Sequence, residues 1–170
     1  NYNEARHHFH QAWQLCQRLG KLRGALHAQL NLANVERYAN NYAMARQGYE
    51  QVLQLARQLH YRWGEGVAQY ELADVLRGQG EYSLALSMFD SALAILRAIN
   101  EPLRELHAAA DLSRLYSYLG DYPQAQALLE QAEKFTAATK VPDAHHNRWI
   151  AIAVFQYQTG HYTAALQAAT

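Results

Sequence analysis

Apolar residues recur along the chain at spacings of three and four, a pattern that places one stripe of an α-helix against neighbouring helices. The pattern breaks at short turns and predicts helices near 3–19, 22–39, 42–59, 62–79, 82–99, 102–119, 122–139, 143–159 and 162–170. Pro102, Pro123 and Pro142 all fall at predicted helix starts, where a missing amide hydrogen costs little. The fold is therefore expected to be all-α.

The helical pattern repeats every 40 residues. Two registers hold one residue type throughout, namely Tyr2, Tyr42, Tyr82, Tyr122 and Tyr162, then Ala5, Ala45, Ala85, Ala125 and Ala165. Just before the tyrosines stand Asn40, Gly80, Gly120 and Gly160, residue types that accept the left-handed backbone of a helix-ending turn. The period predicts tandem antiparallel helix pairs, with units near 1–21, 22–61, 62–101, 102–141 and 142–170.

Small residues also follow the period, on the helix ahead of each turn. They are Ala33, Ala73, Ser113 and Ala153. We expect them to face the repeated alanines of the helix that follows the turn, so that the two paired helices approach closely.

The second full unit carries the clearest motif, with Leu72, Ala73, Gly80, Tyr82, Ala85, Phe89 and Ala92. This spacing resembles the tetratricopeptide repeat. The units depart from it in being longer than the usual length of about 34 residues, and in having Glu36 and Gln156 where an aromatic residue is usual.

Similar long repeats occur in sensor arms of bacterial signal-transduction ATPases and maltose-regulator-like activators. The resemblance implies a right-handed superhelical solenoid of about four repeats, forming one domain over 1–170 that we expect to be a fragment of a larger protein.

Composition narrows the classes of partner. Fifteen Lys and Arg balance fifteen Asp and Glu, which argues against a general nucleic-acid or anionic-membrane binder. The longest apolar run, Ile150–Phe155, is far shorter than the roughly 20 residues that cross a bilayer. A single cysteine, Cys16, forms no internal disulfide, so we expect a reduced, cytoplasmic protein.

Reactive side chains are few and scattered. His7 and His10 share a helix face, but no metal-binding motif completes a site around them. Cys16 is expected to be a small buried hydrophobe, and no glycine-rich phosphate-binding loop occurs. We therefore expect no catalytic residue, metal or cofactor, although an enzyme using Cys16 or His10 remains a third hypothesis.

By resemblance to peptide-binding members of the family, the first helix of each pair lines a concave groove. The groove residues would be His27, Asn34, Arg37, Tyr38, Tyr70, Asp74, Arg77, His107, Arg114, Tyr118, Asn147 and Tyr157. Tyrosine and arginine supply anchoring area and directional hydrogen bonds in recognition sites. The alternative is that Asp74 with Arg77, and Asp111 with Arg114, merely neutralise each other at i, i+3.

Two functional hypotheses follow from this groove. The first is a non-enzymatic scaffold that binds a protein segment, such as an acidic or aromatic peptide, through Arg37, Arg77 and Arg114. The second is the effector-sensing arm of a larger regulator, in which a small ligand or peptide changes the superhelix. Apolar residues near both ends, such as Phe9 and Phe155, also predict self-association.

The repeat register predicts the cost of one substitution. Ala85→Leu is expected to lower the free energy of unfolding by about 1–3 kcal/mol, because extra methylenes overpack a close helix pair. Chemical denaturation followed by circular dichroism measures this difference. A variant as stable as the parent would show that the register is wrong.

Overall fold

The computed structural model describes residues 1–138 and 152–161, and all regular structure in these ranges is helical. The helices are α1 (Tyr2–Arg18), α2 (Leu22–Tyr38), α3 (Tyr42–Gln58), α4 (Arg62–Gly78), α5 (Tyr82–Ala98), α6 (Pro102–Leu119) and α7 (Tyr122–Ala138). Residues 152–158 are helical as well. Each predicted helix from 3–19 to 122–139 is confirmed to within a residue at either end, whereas 162–170 and Pro142 lie outside the described residues.

Left-handed residues end the helices at the predicted turns. Asn40 has a φ of 62°, and the glycines Gly80, Gly120 and Gly160 have φ values of 81°, 82° and 83°. The next amide then donates back to a carbonyl in the last helical turn, as from Asn41 N to Glu36 O at 2.8 Å. These bonds satisfy carbonyls that the ending helix leaves open and reverse the chain within a few residues.

Small residues let consecutive helices approach closely. A Cβ added at Gly48 of α3 would lie 2.8 Å from the Cβ of Ala33 on α2, which is too close for two carbon atoms. In the third unit, Ser113 Oγ donates to the backbone oxygen of Ala125 at 2.9 Å, between α6 and α7. Ala125 is completely buried. The predicted contact of Ser113 with Ala125 therefore forms, whereas Ala33 lies against Gly48 and its contact with Ala45 stays a prediction.

The chain forms two compact units, residues 1–95 and 96–170. The core of the first is built mainly from α2, α3 and α4, and its largest fully buried side chains include Tyr49, Phe89, Leu26, Leu76 and Val67. The core of the second includes Leu112, Leu115 and Ser113. Within the units, α1 to α4 pack consecutively and α6 packs against α7, which is the antiparallel arrangement of a tetratricopeptide-like solenoid.

Glu36 is a buried carboxylate at a register where an aromatic residue is usual. Arg6 of α1 donates from Nε to Glu36 Oε1 at 2.6 Å and from Nη2 to Oε2 at 3.1 Å. The bond from Arg6 holds the pKa of Glu36 below its ordinary value, against the opposing effect of burial, and a further bond from Asn41 acts in the same direction. A two-point charge-assisted contact therefore attaches α1 to α2.

Arg6→Ala is expected to lower the unfolding temperature at neutral pH, because it leaves the Glu36 carboxylate buried without its cation. Because the folded pKa of Glu36 lies below the unfolded one, the pair stabilises the fold above the unfolded pKa. That contribution is lost as pH falls through the folded pKa. The difference in melting temperature should therefore shrink between about pH 7 and about pH 3, as measured by circular dichroism.

The matched control is Arg46→Ala, one repeat further along. Arg46 pairs with Glu50 and Glu81, whose side chains are 52% and 42% exposed, so its loss should matter less. A melting difference for Arg6→Ala that stays constant with pH would contradict the role given to Glu36.

Candidate functional site

Seven of the predicted site residues belong to α2 and α4, the first helices of their pairs. They are His27, Asn34, Arg37, Tyr38, Tyr70, Asp74 and Arg77, all in the first compact unit. Although α3 separates them in the sequence, α2 and α4 contact each other directly. Side chains from consecutive repeats therefore meet on the surface that these two helices share.

Four charged side chains form a cluster here. Arg37 Nη1 lies 3.2 Å from Asp74 Oδ2, and Arg37 Nη2 lies 3.6 Å from Glu71 Oε2. Arg77 Nη2 donates to the other oxygen of Asp74 at 2.5 Å. Asp74 thus joins an arginine of α2 to an arginine of α4, and two cations against two carboxylates leave the cluster neutral.

The cluster extends inward to the core through Asn34 and Tyr49. The hydroxyl of Tyr49, a completely buried residue, donates to Asn34 Oδ1 at 2.6 Å. Burial raises the pKa of Tyr49 above its ordinary value, and the Glu71 carboxylate adds to the increase. Burial acts to lower the pKa of Arg37, yet Glu71, Tyr49 and Asp74 together raise it. Arg37 therefore remains charged although it is mostly covered.

A second cluster on this surface is aromatic and lies near the first turns of the helices. His27 stacks on Trp63 with ring centroids 4.9 Å apart, and its Nε2 lies 3.2 Å from the Tyr61 hydroxyl. The guanidinium of Arg23 lies 4.8 Å from the centre of the Tyr61 ring. The surface therefore combines an aromatic end with a charged end.

Sequence reasoning missed Glu71, Tyr61 and Trp63. Asn31, Glu71 and Asp111 share one register of the period, and this recurrence of polar residues was a usable signal for Glu71. Trp63 stands at the register of Arg23, and only packing of α2 against α4 brings it near His27. No pattern along the chain marks that contact.

The remaining predicted residues belong to the second unit. Arg114 forms an ion pair with Asp111, as the neutralising alternative predicted, and Asp111 is buried. Tyr118 and Tyr157 are 56% and 62% exposed, and His107 is half-buried. Asn147 lies outside the described residues.

The residues weighed for catalysis or metal binding are dispersed. In the described ranges no three histidine, cysteine or carboxylate side chains gather as a metal site. Cys16 is half-buried rather than buried, and its sulfur lies 2.8 Å from where a Cβ on Gly24 would be. His10 packs beside Trp13, with ring centroids 5.6 Å apart. None of the helices described has the length and apolar character to cross a membrane.

Tetratricopeptide repeat models match residues 25–60 and 65–138. The chain belongs to the tetratricopeptide repeat family, as its motif spacing predicted. No curated protein matches it at a significant level.

Solved structures share the fold. A Rap protein complexed with competence and sporulation factor is similar over 99% of this chain and 47% of its own, with 17% identity and a TM-score of 0.83. A signal-transduction ATPase with a tetratricopeptide repeat sensor, from Pyrococcus horikoshii, matches 99% of this chain and 27% of its own at 18% identity and a TM-score of 0.81. BtubC from P. vanneervenii matches 99% and 70% at 13% identity, with a TM-score of 0.78. The chain thus spans less than half the length of the first two proteins.

The charged cluster is expected to behave as a coupled network. A double-mutant cycle of Arg37→Ala with Asp74→Ala should give a coupling energy of about 0.5–3 kcal/mol, because both side chains are mostly covered and share partners. The control cycle, Arg46→Ala with Glu50→Ala, tests an exposed i, i+4 pair that should contribute about 0.3–0.5 kcal/mol. Equal coupling in the two cycles, measured by urea denaturation, would contradict a network on the α2–α4 surface.

Proposed function

We propose that this chain is a non-catalytic interaction module that binds a peptide or protein segment along the α2–α4 surface. The observation that carries the proposal is the neutral cluster of Arg37, Glu71, Asp74 and Arg77, in which side chains from two repeats meet. Such a surface offers hydrogen-bond donors and acceptors side by side. The family supports the proposal, because tandem repeats of this kind create extended surfaces for partner binding.

The pairing of the arginines bears on the chemistry of the partner. The sequence led us to expect an acidic peptide held by Arg37, Arg77 and Arg114, but each of these arginines has a carboxylate partner within the fold. A polyanion would have to compete with those carboxylates. A segment that presents both donors and acceptors gains from the arginines and the carboxylates together. We therefore propose a partner of mixed charge.

The aromatic end gives the partner a second point of attachment. Trp63, Tyr61 and His27 are all half-buried and stacked in one group. Partly exposed aromatic groups anchor partners through large area at little conformational cost. We propose that one apolar or aromatic side chain of the segment packs against this group while the rest follows the charged cluster.

A sensing role in a larger regulator is the second candidate. The fold similarity to the tetratricopeptide sensor of a signal-transduction ATPase favours it. Native mass spectrometry of the gently purified chain separates the two roles. A retained small mass that disappears in Arg77→Glu supports the sensor, whereas a bare chain that binds peptides supports the scaffold.

The test of the scaffold is a selection of random peptides of about 12 residues displayed on phage. Peptides selected on the wild-type chain should bind Arg77→Glu about tenfold more weakly, because removal of this donor leaves the cluster with excess negative charge. Fluorescence anisotropy measures the affinity, and circular dichroism confirms that helicity is kept.

The matched control is Arg18→Glu, which makes the same change of charge at an exposed position at the end of α1. Selected peptides should bind it as they bind the wild type. Equal affinity for Arg77→Glu and the wild type would overturn the proposed surface.

A further inference from the structure

A groove of about 380 Å³, partly open to solvent, lies between α3 and α5 on a different part of the first unit. Its apolar lining consists of Leu53, Leu72, Leu76, Leu84 and Met88. Leu72 and Leu76 of α4 are only 4% and 1% exposed, so they form the floor between the two flanking helices. The volume lies in the range of sites that bury a ligand or an inserted side chain.

Comparison with the preceding repeat shows why this groove has an apolar floor. One period earlier, Glu36 stands at the register of Leu76 and Arg6 at that of Arg46. There the Arg6 guanidinium reaches the buried Glu36 carboxylate at 2.6 Å. The side chain of Leu76 has no atom that accepts such a bond, and Arg46 instead pairs with Glu50 and Glu81 at 3.1 and 2.6 Å. Arg6 therefore pairs with a buried carboxylate, whereas Arg46, at the same register, pairs with two more exposed carboxylates.

The two ends of the groove carry opposite charge. At one end Arg46 faces two carboxylates, Glu50 and Glu81, for a formal charge of −1. At the other, Arg57 and Arg62 share a single carboxylate, Glu65, for a formal charge of +1. Arg46 and Arg57 are eleven residues apart on α3, which is about 16 Å at 1.5 Å per residue.

We propose that the α3–α5 groove is a second docking surface, which takes an amphipathic helix from a partner protein. About three helical turns span the distance between the charged ends. Apolar side chains at i, i+3/i+4 and i+7 enter the groove over Leu72 and Leu76, as in other helix-in-groove complexes. A basic residue of the partner lies beside Glu50 and Glu81, and an acidic residue lies beside Arg57 and Arg62.

The charge pattern favours a helix over a small apolar ligand. A compact ligand would fill the floor but would not reach both ends, whereas a helix contacts floor and ends together. Opposite charges at the ends also fix the direction in which the partner helix lies. The proposal does not depend on the α2–α4 surface, because the two surfaces share no residue.

The experiment uses a displayed library of helix-favouring peptides of about 12 residues, with apolar residues at i, i+3, i+4 and i+7. Selection on the wild-type chain should enrich peptides with a basic residue at one end and an acidic residue at the other. Leu53→Trp, at the register where Trp13 stands one period earlier, should weaken their binding about tenfold by filling the groove. Leu84→Glu, at a 39% exposed position of the same groove, gives a second test if Leu53→Trp fails to fold.

Two controls separate this proposal from the function proposed above. Arg77→Glu should leave the affinity of these helical peptides unchanged, because it lies on the α2–α4 surface. Replacing both Arg57 and Arg62 by glutamate should shift the selected sequences toward basic residues at both ends.

Three outcomes would overturn the second docking surface. One is an absence of enrichment over a mock selection, and another is equal binding of the peptides to wild type, Leu53→Trp and Leu84→Glu. The third is a set of peptides that lose affinity only in Arg77→Glu, which would assign them to the α2–α4 surface and leave the first proposal intact.

Discussion

Close approach of consecutive helices at small residues is the constraint on which the rest of the structure depends. Ala33 and Gly48 leave no room for another carbon between α2 and α3. In α6 and α7 a close contact uses Ser113, which stands at the register of Ala33 and whose hydroxyl donates to the backbone oxygen of Ala125. Small residues recur with the period at this register, as Ala33, Ala73 and Ser113. They permit the same close approach of helices in successive repeats.

Side chains that vary at a repeated register give the units their different surfaces. Glu36 and Leu76 occupy equivalent positions, yet one accepts a two-point bond from Arg6 and the other forms the floor of a cavity. Both residues can be buried at this register, because Leu76 is apolar and the carboxylate of Glu36 is neutralised by Arg6. A regular backbone thus carries chemically distinct grooves.

Electrostatic pairing across repeats changes how the charges of Arg37 and Arg77 should be interpreted. The sequence shows Arg37 and Arg77 as cations one period apart, but folding brings both to the carboxylate of Asp74. Partly covered charges interact more strongly than exposed ones, since less water screens them. The binding proposed for this surface would therefore depend on the arrangement of donors and acceptors more than on net charge.

The sequence by itself determined the helices, the turns at Asn40 and Gly80, and the family, because these follow from local backbone preference and from a strict period. It also assigned seven of the candidate residues to the first helices of two consecutive pairs, α2 and α4. Only the tertiary structure decided that Glu71 pairs with Arg37, that Trp63 stacks on His27, and that Leu76 forms part of the floor of a groove between α3 and α5. Those contacts join residues about one repeat apart, and their geometry depends on side-chain packing between helices, for which a linear pattern carries no signal.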